Sequence, residues 1–144
     1  MKRIASVTAV LAALVLCSVA LASTPLSGAF NGNVGGSALG GKLKGLWTLT
    51  FSAPNYTVAF AGTVVVHGTY TLSASKVTFS DKSGKDACPG KGVYTYKLQA
   101  TTLTFKRVSD TNAKCAGRRA VLAATFTKKF SSSPGSYALV SPAR

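Results

Sequence analysis

The chain contains no glutamate, three aspartates (Asp81, Asp86, Asp110), one histidine (His67) and one tryptophan (Trp47). General acid–base catalysis needs positioned carboxylates or a histidine, and those groups are almost missing. His67 stands beside a run of valines with no nucleophile and carboxylate to group with it, and no Gly-x-Ser-x-Gly elbow occurs. Carboxylate cages and histidine clusters for metals are excluded on the same inventory, and one histidine with two distant cysteines makes no tetrahedral set. The sequence therefore reads as non-enzymatic, with no catalytic residue, no metal site and no cofactor. Its 144 residues suffice for one domain.

Positive charge is plentiful: 17 Lys and Arg against three acids, a formal +14. Apart from Lys2, Arg3 and Arg144, the basic residues are spread from Lys42 to Lys129, and the pairs Lys106-Arg107 and Lys128-Lys129 come nearest to a patch. Nucleic-acid binding calls for clustered basic residues interleaved with exposed aromatics, or a recognisable module. Neither is present, so no specific nucleic-acid partner is expected. Two readings of the charge remain. It is either a solvated surface or a source of non-specific attraction to an anionic surface, whether polymer or lipid head groups.

Residues 1–22 have the three-part plan of a secretory signal peptide. Lys2 and Arg3 lead, an apolar run from Val7 to Leu21 follows, and Ala20-Leu21-Ala22 supplies small residues for cleavage. Ser and Thr interrupt the run and no basic stop-transfer cluster follows, so cleavage after Ala22 is expected rather than an anchor. Leu16 before Cys17 argues against lipoprotein processing. Removing 22 of 144 residues leaves 122, with 15 basic residues against three acids and no transmembrane segment. The expected location is exported, periplasmic or extracellular. Cys88 and Cys115 are then the only cysteines. In an exported chain they read as one disulfide, the alternative being two free thiols. Such a bond restricts the unfolded chain by about 3.5 kcal/mol in the chain-entropy account.

Residues 23–44 hold a high share of the 14 glycines and show no apolar period, so they read as a flexible lead segment. From Gly45 onward, period-two alternation dominates. Trp47, Leu49 and Phe51 alternate with Thr48 and Thr50, and Pro54-Asn55 turns the chain. Tyr56, Val58 and Phe60 form the next strand; Val64–Val66 follows, and Gly68 permits a bend or bulge. Tyr70 and Leu72, Val77 and Phe79, Tyr94 to Leu98, and Leu103 and Phe105 continue the pattern. Ser109–Gly117 reads as a polar connection or one helical turn with Asp110 as its cap. Val121–Phe126 and Tyr137–Val140 are further strand candidates. An internal echo runs through this region. Gly68-Thr69-Tyr70-Thr71 and Val77-Thr78-Phe79 are answered by Gly92-Val93-Tyr94-Thr95 and Leu103-Thr104-Phe105. The pattern predicts an all-β antiparallel meander of about eight strands over residues 45–144. Closure into a barrel would leave no long edge unpaired.

Gly45-Leu46-Trp47 at the head of the first expected strand resembles the Gly-x-Trp motif that opens lipocalins. Ser83-Gly84-Lys85-Asp86-Ala87-Cys88, the Gly92 to Tyr96 strand, and Asp110, Cys115 and Arg118 continue the likeness in order, with Thr111 to Lys114 inserted before Cys115. Over residues 43–128 the chain resembles small secreted bacterial lipocalin-like (calycin-type) β-barrel proteins of undefined function. The Thr-Asp-Tyr signature that typical lipocalins carry later in the barrel is absent. The resemblance implies a lipocalin-like barrel in which Arg118, with the neighbouring Arg119 as its competitor, stacks on Trp47 and closes one end, a structural role worth about 0.5–2 kcal/mol. A barrel of this size is either packed by its own side chains or holds one small ligand. The first expectation is thus a small apolar ligand, with Tyr70, Tyr94, Tyr96 and Phe105 as candidate contacts. The second is a filled barrel whose basic exterior associates with anionic surfaces. Sequence leaves the oligomeric state open.

Overall fold

Apolar alternation with one buried face is satisfied when strands wrap round and pack that face on itself, and the chain does this. The computed structural model describes residues 25–130; the expected signal peptide and the strand expected at Tyr137–Val140 lie outside the described residues. Eight antiparallel strands close into a barrel in simple sequential order. They are β1 (Gly28–Val34), β2 (Gly45–Ser52), β3 (Asn55–Phe60), β4 (Thr63–Ser73), β5 (Lys76–Ser83), β6 (Lys91–Gln99), β7 (Thr102–Ser109) and β8 (Phe126–Lys128). One short helix, α1 (Ala116–Leu122), lies between β7 and β8. The all-β meander and its closure are as the residue pattern predicts.

Two elements differ from expectation. The glycine-rich lead is not loose, because Gly28–Val34 pairs along its full length with β2 and closes the barrel against β8. Its inward residues are Phe30, Gly32 and Val34. Glycine breaks the visible alternation because the Phe126 ring occupies the space a side chain would need; an added Cβ at Gly32 would come within 2.7 Å of it. The second difference is Val121–Phe126, expected as a strand. Residues Ala116–Leu122 are helical, and only Phe126–Lys128 pairs. Val121 and Leu122 are buried together from this helix. Two adjacent apolar residues look the same in a fully buried strand and on a helix face.

The barrel's two ends differ. At one end the β2–β3, β4–β5 and β6–β7 connections are tight turns. At the other lie the long connections: residues 35–44, the β5–β6 loop, and the β7–β8 segment that carries α1. The inward rows meet in an aromatic core. Phe79 packs edge-on against Tyr56, Tyr94 and Phe105, with centroids 5.0, 5.9 and 5.7 Å away. Phe105 in turn meets Phe126 at 6.2 Å. Each such pair adds about 0.5–1.5 kcal/mol beyond simple burial.

Candidate functional site

Two of the three aspartates sit inside the long-loop end, where an isolated charge would be costly. The echo in the sequence explains their placement. Gly68 pairs with Asp81 across the β4–β5 hairpin. In the β6–β7 hairpin, an added Cβ at Gly92 would lie 2.8 Å from the Asp110 carboxylate. A register shift sits beside each glycine, at His67/Gly68 and at Val93/Tyr94. Each missing side chain makes room for a tyrosine ring, Tyr56 over Gly68 and Tyr94 beside Gly92. Tyr56 Oη donates to Asp81, and Tyr94 Oη donates to Asp110 Oδ2 at 2.6 Å.

Arg118, from α1, joins the two units. Its Nε and Nη2 donate to Asp110 at 2.8 and 3.0 Å, a bidentate pairing. Nη1 donates to Asp81 at 3.2 Å, and the Gly90 carbonyl accepts from Nη1 and Nη2. These five bonds match the five donors a guanidinium owns. The side chains of Arg118, Asp81 and Asp110 are 8%, 2% and 1% exposed. Burial alone would raise the Asp110 pKa, but hydrogen bonds from Arg118 and Tyr94 and the charges of Arg118 and Arg119 hold it below the usual carboxylate value. Burial opposes the Arg118 charge as well, yet the two carboxylates raise its pKa above the ordinary arginine value. Burial and then the neighbouring carboxylate push Tyr56 and Tyr94 well above ordinary tyrosine.

The expected stack of Arg118 on Trp47 is therefore replaced by ion pairs, and no such stack occurs among the described residues. Two carboxylates offer the guanidinium more than a ring face does. Trp47 packs on Phe60 at 4.8 Å and donates from Nε1 to the Leu43 carbonyl at 2.8 Å. Asp110 is not a helix cap; Asn112 caps the 3-10 turn Ala113–Cys115 that leads into α1, its side chain accepting from the Lys114 N–H.

Beside this network is a cavity of about 310 Å³. Its apolar lining includes Trp47, Leu49, Val58 and Val66 from the strands, with Val121 and Leu122 from α1. Asp81 and Arg118 form part of one wall, and the exposed residues Lys85, Asp86 and Lys114 stand at the rim. The disulfide Cys88–Cys115, with Cα atoms 5.1 Å apart, ties the β5–β6 loop to the segment entering α1. It thus joins the chain bearing Lys85 to the chain bearing Lys114. The Cys88 N–H also donates to Asp81 Oδ2 at 3.0 Å, linking the disulfide to the buried ion pairs.

None of the four expected ligand contacts lines this cavity. Tyr70 is buried and donates to the Leu26 carbonyl at 2.7 Å. Tyr94 is committed to Asp110. Tyr96 is 9% exposed, and Phe105 packs between Phe79 and Phe126. Inward aromatic residues are the material of the core, and the cavity forms where helix and loop meet the strands. His67 lies exposed on β4. The cavity was missed because its strand residues read only as core, while the residues that close it, Lys85, Lys114, Val121 and Leu122, come from connections without periodicity. The two carboxylates did carry a signal. In a chain with three acids, Asp81 and Asp110 each follow an apolar-Thr-Phe strand of the echo.

No family model, curated protein or solved structure matches the chain. No group of side chains that could hold a metal ion occurs among the described residues, and no described helix is long and apolar enough to cross a membrane.

Proposed function

We propose that this is an exported, non-enzymatic, lipocalin-like binding protein that holds one small, largely apolar molecule at the helix-covered end of its barrel. The observation that carries this reading is the cavity of about 310 Å³ with an apolar interior and a polar rim. Small-molecule sites occupy roughly 300–1,000 Å³ and are mostly apolar with a few placed polar groups. A dry apolar cavity of about 150 Å³ accepts benzene. Twice that space suits a two-ring body, or one ring with a short chain.

Native mass spectrometry of the exported protein tests the reading. The expected result is a small adduct that is lost on denaturation. The blocking variant is Gly117→Phe: Gly117 lines the cavity, and a Cβ added there meets no atom within 4 Å. This variant should keep its melting temperature, since leaving glycine helps a helix, and should arrive without the adduct. An adduct that survives the filled cavity would overturn the reading.

A second reading rests on charge. Asp81 and Asp110 are internal, so Asp86 is the only acid that faces solvent. An exterior so nearly free of anions favours association with anionic polymers or lipid head groups.

A further inference from the structure

We propose that the molecule held in this cavity is an amphipathic anion, its apolar body in the barrel and its carboxylate, sulfonate or phosphate head at Lys85 and Lys114. This rests on the cavity reading above and adds the ligand's charge and orientation.

The argument is one of elimination among the polar groups that line the space. Arg118 would be the obvious anion receptor, but its five donors are all engaged by Asp110, Asp81 and Gly90. Its charge is already met by two buried carboxylates. An incoming anion would face those carboxylates and find no free N–H. Tyr56 is likewise committed to Asp81. The rim differs. Neither Lys85 nor Lys114 forms an ion pair with Asp86 or any other described carboxylate, and both are exposed. They reach the rim from separate segments, and Cys88–Cys115 holds those segments together. The apolar interior and the ammonium groups are thus at opposite depths of one space. A neutral apolar molecule would use the interior alone. A cation would meet two lysines against one aspartate. An anion with an apolar tail uses both regions, and a flexible point charge such as lysine accepts any of the three head groups.

The test uses the full disulfide-bonded protein and two matched probes, naphthalene-2-carboxylate and naphthalene-2-carboxamide. They share a body and differ in charge. Titration calorimetry gives affinity, and Trp47, the only tryptophan and a cavity residue, gives occupancy by its emission. At low salt the carboxylate should bind about three- to tenfold tighter than the amide, the effect of two partly exposed charge pairs. The double variant K85Q/K114Q should bind both probes equally, and about 0.5 M salt should have the same effect on the wild type. D86N should widen the preference.

Equal binding of both probes to the wild type, abolished by Gly117→Phe, would overturn the anion inference and leave the cavity reading standing. A preference for the carboxylate that persists in K85Q/K114Q would overturn the assignment to these lysines. Failure of both probes to bind would overturn the cavity reading and this inference together.

Discussion

Arg118 illustrates why a residue's role follows from what surrounds it. One guanidinium compensates two aspartates, and removing it strands both charges inside the protein. Replacing Arg118 with methionine, similar in length and uncharged, is expected to lower unfolding stability by about 3–5 kcal/mol, read from the denaturant midpoint. The tyrosines that serve the carboxylates give a second prediction, in alkali. Their folded pKa values lie above the unfolded value of 10.0. Their contribution is therefore complete below pH 10 and is lost as pH rises and the unfolded chain ionises first. In an absorbance titration near 295 nm, Tyr56 and Tyr94 should remain silent until the protein unfolds. Tyr94→Phe should remove one of these two delayed signals. A smooth titration of every tyrosine near pH 10 without unfolding would contradict the buried network.

The strand pattern from Trp47 to Phe105 was legible because each of those strands has one buried face and one wetter face, and alternation writes that directly into sequence. The Gly68 irregularity was legible for the same reason, and the disulfide followed from cysteine count and expected compartment. What escaped were elements whose apolar partner replaces a side chain or whose period is ambiguous. Gly32 in β1 conceals a core position filled by Phe126, and Val121-Leu122 carries no periodicity that separates helix from strand. The cavity was illegible because it is formed between elements: α1, the β5–β6 loop and four strands contribute to one lining. The disulfide matters at this scale. Serine at both Cys88 and Cys115 is expected to cost about 2–5 kcal/mol of stability. Hydrogen exchange should show the largest gain in opening at residues 84–90 and 113–118, while the β2–β3 turn stays protected. Uniform loosening of all strands would count against a local clamp.

Taken whole, the molecule hides negative charge and displays positive charge. Retention on an anionic polymer column should be strong at about 50 mM salt and should fall by an order of magnitude or more by about 500 mM, because exposed charges are screened over a Debye length. K106Q/R107Q should weaken retention modestly and without a change in fold, as expected for a diffuse field rather than a dedicated site. Closure of the barrel has a different kind of consequence, one of timing. The six pairs from β1–β2 to β6–β7 join neighbours in sequence through connections of ten residues or fewer, and such local pairs assemble early because little chain must be restrained. The joining of Phe30 and Gly32 to Lys128 and Phe126 spans nearly the whole domain and must wait for the largest loop closure. Until β8 arrives, Gly32 lacks the ring that covers it and both β1 and β7 present open edges. The three residues of β8 are therefore a late checkpoint in folding, and a chain stopped short of Phe126 is the form most exposed to edge-to-edge aggregation.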